Sequence, residues 1–479
     1  MPQPTLEPPI NRGMSQLDRS AFNTTLPLLA ARLPASRTTQ FLKQDGKDFV
    51  LRLRGLPAVV ADPSQHHRRV LLRTADQAQL PQELLDILKT SEAELVDVSV
   101  KVGYEYWTSD QVLQAILPED LLDESPTAFS QVGHIAHLNL RDQYLPHRQL
   151  IGQVILDKNK SLRTVVNKLD SIDNVYRNFQ MEVLAGDADF EVEMAEHDCR
   201  FRFDFSKVYW NSRLQTEHAR LVSTFSPNDV IVDGFAGVGP FAIPSGKKGC
   251  GVLASDLNPA SAEALKGNAA LNKVDRTVRT FNEDGRDFIR RSVLSIWNDP
   301  FPAYEAPLSS RERSKRARAA RAAREAGSTA AAVASEPSSK PQATSTSPAS
   351  PLPPSASAEL PVPVKSRRLP NHYIMNLPAS ALTFLDAYSG LYRGLSDLVG
   401  AEEARKAIAE AGGLPVVHCY CFTKEVEKPV EDICQRATEA LGFEVHPGLP
   451  DFDLHYVRDV APRKIMYCLE FRLTEEMVI

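Results

Sequence analysis

Short apolar runs that stop at a polar residue recur through the second half of this chain. Val230, Ile231 and Val232 form one such run, as expected of a buried strand, and Asp233 ends it. Residues 251–255 form a second run, which ends at Asp256. Residues 277–282 form a third and lead into Glu283-Asp284-Gly285; residues 372–375 form a fourth and lead into Asn376-Leu377-Pro378. Between the second and third runs, residues 259–271 carry Ala264, Leu265 and Ala269 at helical spacing. Strands alternating with helices predict a parallel α/β sheet, and such sheets bind ligands at the carboxyl ends of their strands. Further on, the pattern predicts a helix over 379–388, a strand over 416–422 and a helix over 430–441. Strands over 443–446, 454–457 and 464–473 follow, the last two joined as a hairpin across Ala461-Pro462-Arg463.

Upstream the pattern is finer. Residues 45–130 alternate strands (49–53, 70–72, 95–102) with helices (81–89, 109–117), which predicts a small α/β domain. Residues 131–205 predict an α+β unit with strands over 134–138, 149–156, 164–167, 179–184 and 201–205. His137, Arg141, His147, Arg148, Lys158 and Lys160 make that unit basic; they suit phosphate contacts and equally an ordinary solvated surface. Residues 1–44 read as an N-terminal extension. Arg12, Arg19, Arg32 and Arg37 against Glu7 and Asp18 give it part of the character of a mitochondrial presequence. A frayed terminus leading into a helix over 22–33 fits it as well. Residues 302–368 interrupt the sheet: an Arg/Ala-rich stretch over 311–324 precedes a Pro-, Ala- and Ser-dominated stretch of disordered character.

Composition changes this picture in one respect. At 479 residues, with 43% hydrophobic and 24% charged residues, the chain is an ordinary globular protein of two to four domains. No apolar run approaches the ~20 residues of a membrane span. The six cysteines form no Cys-x-x-Cys pair, and Cys419 and Cys421 sit too far apart along a strand to bond readily. The net charge is −6, but residues 303–370 hold eleven Lys or Arg and five Asp or Glu, so that segment is +6 and the remainder −12. Charge alone favours a small-molecule enzyme; any RNA binding must rest on local patches.

The chemistry centres on Asp233-Gly234-Phe235-Ala236-Gly237-Val238-Gly239. A strand running into a Gly-rich turn and then a helix cradles a cofactor or simply connects the two elements. Asp256 lies at the spacing where an acid meets ribose hydroxyls. This loop, Asp256-Leu257-Asn258-Pro259, Asp284-Gly285-Arg286-Asp287 and Asn376-Leu377-Pro378 together resemble a class I S-adenosylmethionine (SAM) methyltransferase. Tyr209-Trp210-Asn211-Ser212-Arg213-Leu214-Gln215-Thr216-Glu217 and His134-Ile135-Ala136-His137-Leu138-Asn139-Leu140-Arg141 narrow the resemblance to the archaeal and eukaryotic tRNA (guanine-37-N1) methyltransferases. It spans about 133–287 and 371 to the C-terminus.

The resemblance implies a Rossmann-like, seven-stranded methyltransferase sheet over 206–479, antiparallel at its C-terminal edge and preceded by smaller α+β RNA-binding domains. It implies SAM as cofactor, held by residues 233–239, Asp256, Leu257, Asn258, Asp284, Gly285 and Asn376. It implies tRNA with guanosine at position 37 as substrate. Residence in the mitochondrial matrix, nucleus and cytoplasm is a further expectation, as is a monomeric state.

Guanine N1 carries a proton at neutral pH, so its methylation needs a base and donors for the charge that builds on O6. On residues alone, Arg213 and Glu217 are a plain i,i+4 ion pair on a helix from Asn211 or Ser212 to about 225. The family pattern Tyr-x-x-x-Arg-x-x-x-Glu, matched at Tyr209, Arg213 and Glu217, makes Glu217 the expected base, with Tyr209 and Arg213 positioning. By the same resemblance Arg177 stabilises O6, although Arg163 lies within reach of that alignment, and Asn376 with Pro378 grips the base edge. The absence of a Cys near Asn376 argues against 5-methylcytosine chemistry. A wybutosine-pathway aminocarboxypropyl transferase and a noncatalytic RNA-binding protein with a relict SAM fold are the alternatives.

Overall fold

A computed structural model describes residues 6–124, 126–172, 179–304, 318 and 367–479. It divides into two compact units, one of residues 1–192 with 204–206, the other of 193–203 with 207–479.

The first unit holds two four-stranded sheets. Thr24–Pro34 is an inner strand of one, flanked by His67–Leu71 and Glu94–Val102, with Val59–Ala61 at the edge. The helix expected over 22–33 is therefore a strand. Leu29, Ala31 and Leu33 enter one core cluster while Leu28 and Ala30 enter another, which is the period of two of a strand buried on both faces. It also moves the domain start upstream of residue 45. The second sheet runs Ser130–Val132, Ile135–Leu138, Thr164–Ile172, Phe179–Gly186. The strand expected over 149–156 is instead part of the helix Arg148–Lys158, with Leu150, Ile151, Val154 and Ile155 buried at helical spacing. Gly152 lets that helix press on the sheet: a Cβ there would lie 2.5 Å from Leu184 Cβ.

The second unit is the seven-stranded sheet. Its strands are β1 (Val230–Asp233), β2 (Gly251–Ser255), β3 (Val278–Phe281), β4 (His372–Met375), β5 (Val416–Thr423), β6 (Asp453–Ala461) and β7 (Lys464–Arg472). Their order is β3-β2-β1-β4-β5-β7-β6, with β7 antiparallel to β5 and β6. The order reverses beside β1, where β1 pairs with both β2 and β4, and that switch point is where an open α/β sheet opens a crevice. Among the helices of this unit are α1 (Gln215–Thr224), α2 (Ala242–Lys248), α3 (Pro259–Leu271) and α4 (Gly285–Asn298). Residues 443–446 form no strand; Val445 N–H donates to Thr438 Oγ1, and β6 and β7 complete the sheet without them. All six cysteines are free and buried. Among the described residues no helix is long and apolar enough to cross a membrane.

Candidate active site

Residues from four strand ends meet at the switch point. β1 is buried throughout, and Asp233 at its end is fully enclosed. Its Oδ1 accepts the Phe235 N–H at 3.3 Å, while Oδ2 has no partner. Burial pushes the Asp233 carboxyl up to about 8, and the nearby Asp256 adds to the shift. Asp256, at the end of β2, accepts the Gly237 N–H at 2.8 Å on Oδ2 and the Asn258 N–H at 2.9 Å on Oδ1. The acid and the glycine turn are thus one piece of structure.

The turn offers shape more than donors. The N–H groups of Gly234, Phe235, Ala236, Gly237 and Gly239 are each committed to acceptors within the fold. Ala236 and Val238 bury their side chains. Gly237, at φ +53°, has open space where a Cβ would be, so a ligand can approach the backbone there. Gly285 plays a different part. A Cβ on it would meet the Phe235 ring at 2.7 Å, so its absence lets that ring close one wall of the crevice. Asp284 caps α4, accepting the Arg286 N–H at 2.9 Å.

Two expected cofactor residues sit differently. Asn258 is spent on the fold: Oδ1 caps α3 through the Ala260 N–H at 3.0 Å, and Nδ2 donates to the Lys207 carbonyl at 2.7 Å. That bond ties the Tyr209 segment to the end of β2. Leu257 leaves its side chain 48% exposed, open to a ligand at the rim. At the end of β4, Asn376 Oδ1 is buried without a partner, and the Pro378 carbonyl accepts the Phe422 N–H at 3.0 Å.

Glu217 lies in α1 with only 7% exposure, but its partner is not Arg213. Arg213 is exposed, its N–H taken by the Asn211 side chain at 3.2 Å. Arg220, one turn further on, grips Glu217 with Nε on Oε2 and Nη2 on Oε1, both at 2.8 Å. The i,i+3 alternative wins because the core-facing side of α1 carries Leu214, Glu217, His218 and Leu221, and Arg213 faces away from it. Tyr420 OH on β5 donates to Glu217 Oε1 at 2.7 Å, and His455 Nε2 on β6 stands 3.4 Å from Oε2. Arg220 also reaches Glu470 on β7 at 2.6 Å. Burial opposes ionisation of Glu470, yet His418 and Arg220 outweigh it and hold the carboxyl down to about 2. Burial lowers His418, which faces Glu470 at 3.4 Å and His372 at 3.0 Å.

Arg220 is legible three residues past Glu217. Tyr420, His455 and Glu470 lie 203 to 253 residues away, and no local pattern announces them. Tyr209 is 48% exposed, with Asn211 Nδ2 3.4 Å from its hydroxyl. Arg177 falls outside the described residues. In the first unit, Arg163 donates to Asp189 at 2.7 Å and is already neutralised.

Comparison with known proteins gives the same assignment along the whole chain. Residues 192–295 match the TRM5/TYW2 methyltransferase domain, and residues 109–189 match the TYW2 N-terminal domain. A tRNA (guanine(37)-N(1))-methyltransferase of Coprinopsis cinerea is 46% identical over 478 residues, covering 99% of this chain and 97% of the relative. One of Cryptococcus neoformans is 43% identical over 496 residues, covering 99% and 89%. The solved structure of aTrm5 in complex with tRNALeu shares the fold, with a TM-score of 0.56 at 19% identity over 93% of this chain and 100% of that one. Relatives this similar, over nearly the full length of both partners, leave no doubt of kinship, and the chain belongs to the tRNA (guanine(37)-N(1))-methyltransferase family.

Proposed function

We propose that this enzyme transfers the methyl group of SAM to N1 of the guanosine at position 37 of tRNA. The observation that carries the chemistry is the setting of Glu217. It is a buried carboxylate fixed by Arg220 and Tyr420. Tyr420 stands one residue past the pairing of Met375 with Cys419, so Glu217 is held at the level of Asn376. A base placed there can take the N1 proton that blocks attack on the sulfonium methyl. The unpartnered Asn376 Oδ1 is an acceptor waiting for a donor, and a guanine edge carries N1–H and the exocyclic amine.

SAM supplies an electrophilic methyl group when bound. This chain would hold it between Gly237, Asp256, Phe235 and Leu257, with Asp233 Oδ2 beneath. An orphaned buried carboxylate oxygen fits the cationic ammonium of the methionine part. Exposed Tyr209 and Arg213 suit contact with the tRNA, and Arg177 takes the charge on O6. The protein acts as a monomer in nucleus and cytoplasm with a share in mitochondria, a distribution that imaging of a C-terminal fluorescent fusion tests; Arg12, Arg19, Arg32 and Arg37 lend the mitochondrial share no support, since each is bonded within the fold.

The deciding experiment supplies SAM labelled in the methyl group or in the aminocarboxypropyl chain to tRNA transcripts with guanosine or adenosine at 37. Methyl label on the guanosine transcript alone, lost in Glu217→Gln, is the expected result. Label from the other chain would instead support the aminocarboxypropyl reading, which the shared TRM5/TYW2 domain keeps in view.

A further inference from the structure

Glu217 poses a problem of proton traffic. Its Oε1 accepts from Arg220 and Tyr420, and its Oε2 accepts from Arg220. A proton landing on it meets positions held by Arg220 and Tyr420. Oε2 is the less occupied oxygen, accepting from Arg220 alone, and His455 Nε2 stands 3.4 Å from it. The pairing is built into the sheet: Tyr420 pairs with Cys468 and Cys468 with His455, so all three stand in one row under α1. Of the other titratable contacts of Glu217, Arg220 already holds it as a cation and Tyr420 leads inward. Tyr420 is fully buried and burial holds its hydroxyl far above its ordinary value; the His455 side chain is 35% exposed.

We propose that His455 is the terminal acceptor of the guanine N1 proton. The inference rests on the reading of Glu217 as the base. With imidazole neutral and its hydrogen on Nδ1, Nε2 is an acceptor. The N1–H proton passes to Glu217 Oε2 and on to His455 Nε2. The N1 lone pair forms the bond to the methyl carbon, the carbon–sulfur bond breaks, and the thioether leaves with that electron pair. His455 then releases the proton to solvent. Arg220 on α1, Cys468 and Glu470 on β7, Tyr420 on β5 and Asp453 on β6 are the other titratable or charged groups around this pair.

The test is single-turnover methyl transfer by the full-length chain across pH, with wild type, His455→Gln and Glu217→Gln in parallel. Calorimetric SAM binding serves as the folding control. His455→Gln is expected to lose roughly 100-fold in rate with SAM binding intact. Its pH–rate profile should also differ from that of wild type on the acid side. Added imidazole should restore part of the rate to His455→Ala. Wild-type rate and an unchanged acid limb in His455→Gln, beside an inactive Glu217→Gln, would overturn the relay and leave the base standing. Loss of SAM binding in His455→Gln would also overturn it, marking a structural role. Full activity in both variants would remove the base reading itself.

Discussion

Asp233 and Glu217 are both buried carboxylates, yet their surroundings differ. Asp233 has one amide donor and no cation, and its folded value of about 8 lies above the ordinary carboxylate value of about 3.9. Between those values the folded chain holds a proton that the unfolded chain has lost, so Asp233 lowers stability as pH rises through that window. Asp233→Asn is expected to flatten that loss, seen as a smaller drop in the urea midpoint between pH 5 and pH 8. A ligand ammonium brought to Oδ2 would ionise the acid. SAM binding at pH 7 should therefore release protons, which calorimetry in buffers of different ionisation enthalpy detects, and Asp233→Asn should abolish the release. Glu217 instead has a guanidinium on both oxygens. Arg220→Ala would leave Glu217 and Glu470 buried without their shared cation, costing about 3 kcal/mol of stability, measured by chemical denaturation.

At the scale of elements, the glycines divide by what each must let through. Gly237 leaves room for a ligand; Gly285 leaves room for Phe235. Gly285→Ala should push the ring into the crevice and raise the SAM Kd about tenfold, equivalent to ~1.4 kcal/mol, with little change in melting temperature. Asp284→Ala, one residue earlier, should behave in the opposite way. It removes the cap of α4 and costs about 1 kcal/mol of stability, read by calorimetric melting. The helices and strands were readable where one face alone is buried, as in α1, or where β-branched runs stop at an acid, as in β1 and β2. The pattern misleads at 22–33 and 149–156. Leu, Ala and Ile there suit either element, and only the partners (a strand on each side for one, Leu184 for the other) decide between them.

For the whole molecule, the two ends of the long insert lie side by side. The insert follows α4 and precedes β4, and at its ends the Phe301 N–H donates to the Arg367 carbonyl at 3.3 Å and Arg367 Nη1 to the Pro302 carbonyl at 2.7 Å. Entry and exit are neighbours, so replacing 305–366 with a short Gly/Ser linker should leave SAM affinity and melting temperature unchanged. That segment holds nine Lys or Arg against five Glu. Its removal should therefore weaken tRNA binding modestly and reduce the salt slope of that binding.

The sequence by itself determined the sheet's class, the glycine turn and the acids at the strand ends, while Glu217 stood out only through the resemblance to a family. Each rests on a local pattern of a few residues, and local patterns survive in one dimension. Tertiary structure alone decided what those residues work with. Arg220 displaced Arg213 because α1 turns one face to β5 and β7. Asn258 became a cap and a tether because the Lys207 carbonyl arrives beside it. Tyr420, Glu470 and His455 gathered around Glu217 because the antiparallel edge aligns three strands in register beneath α1. Register is set by long-range backbone pairing, and it decides which side chains, hundreds of residues apart, share one buried charge.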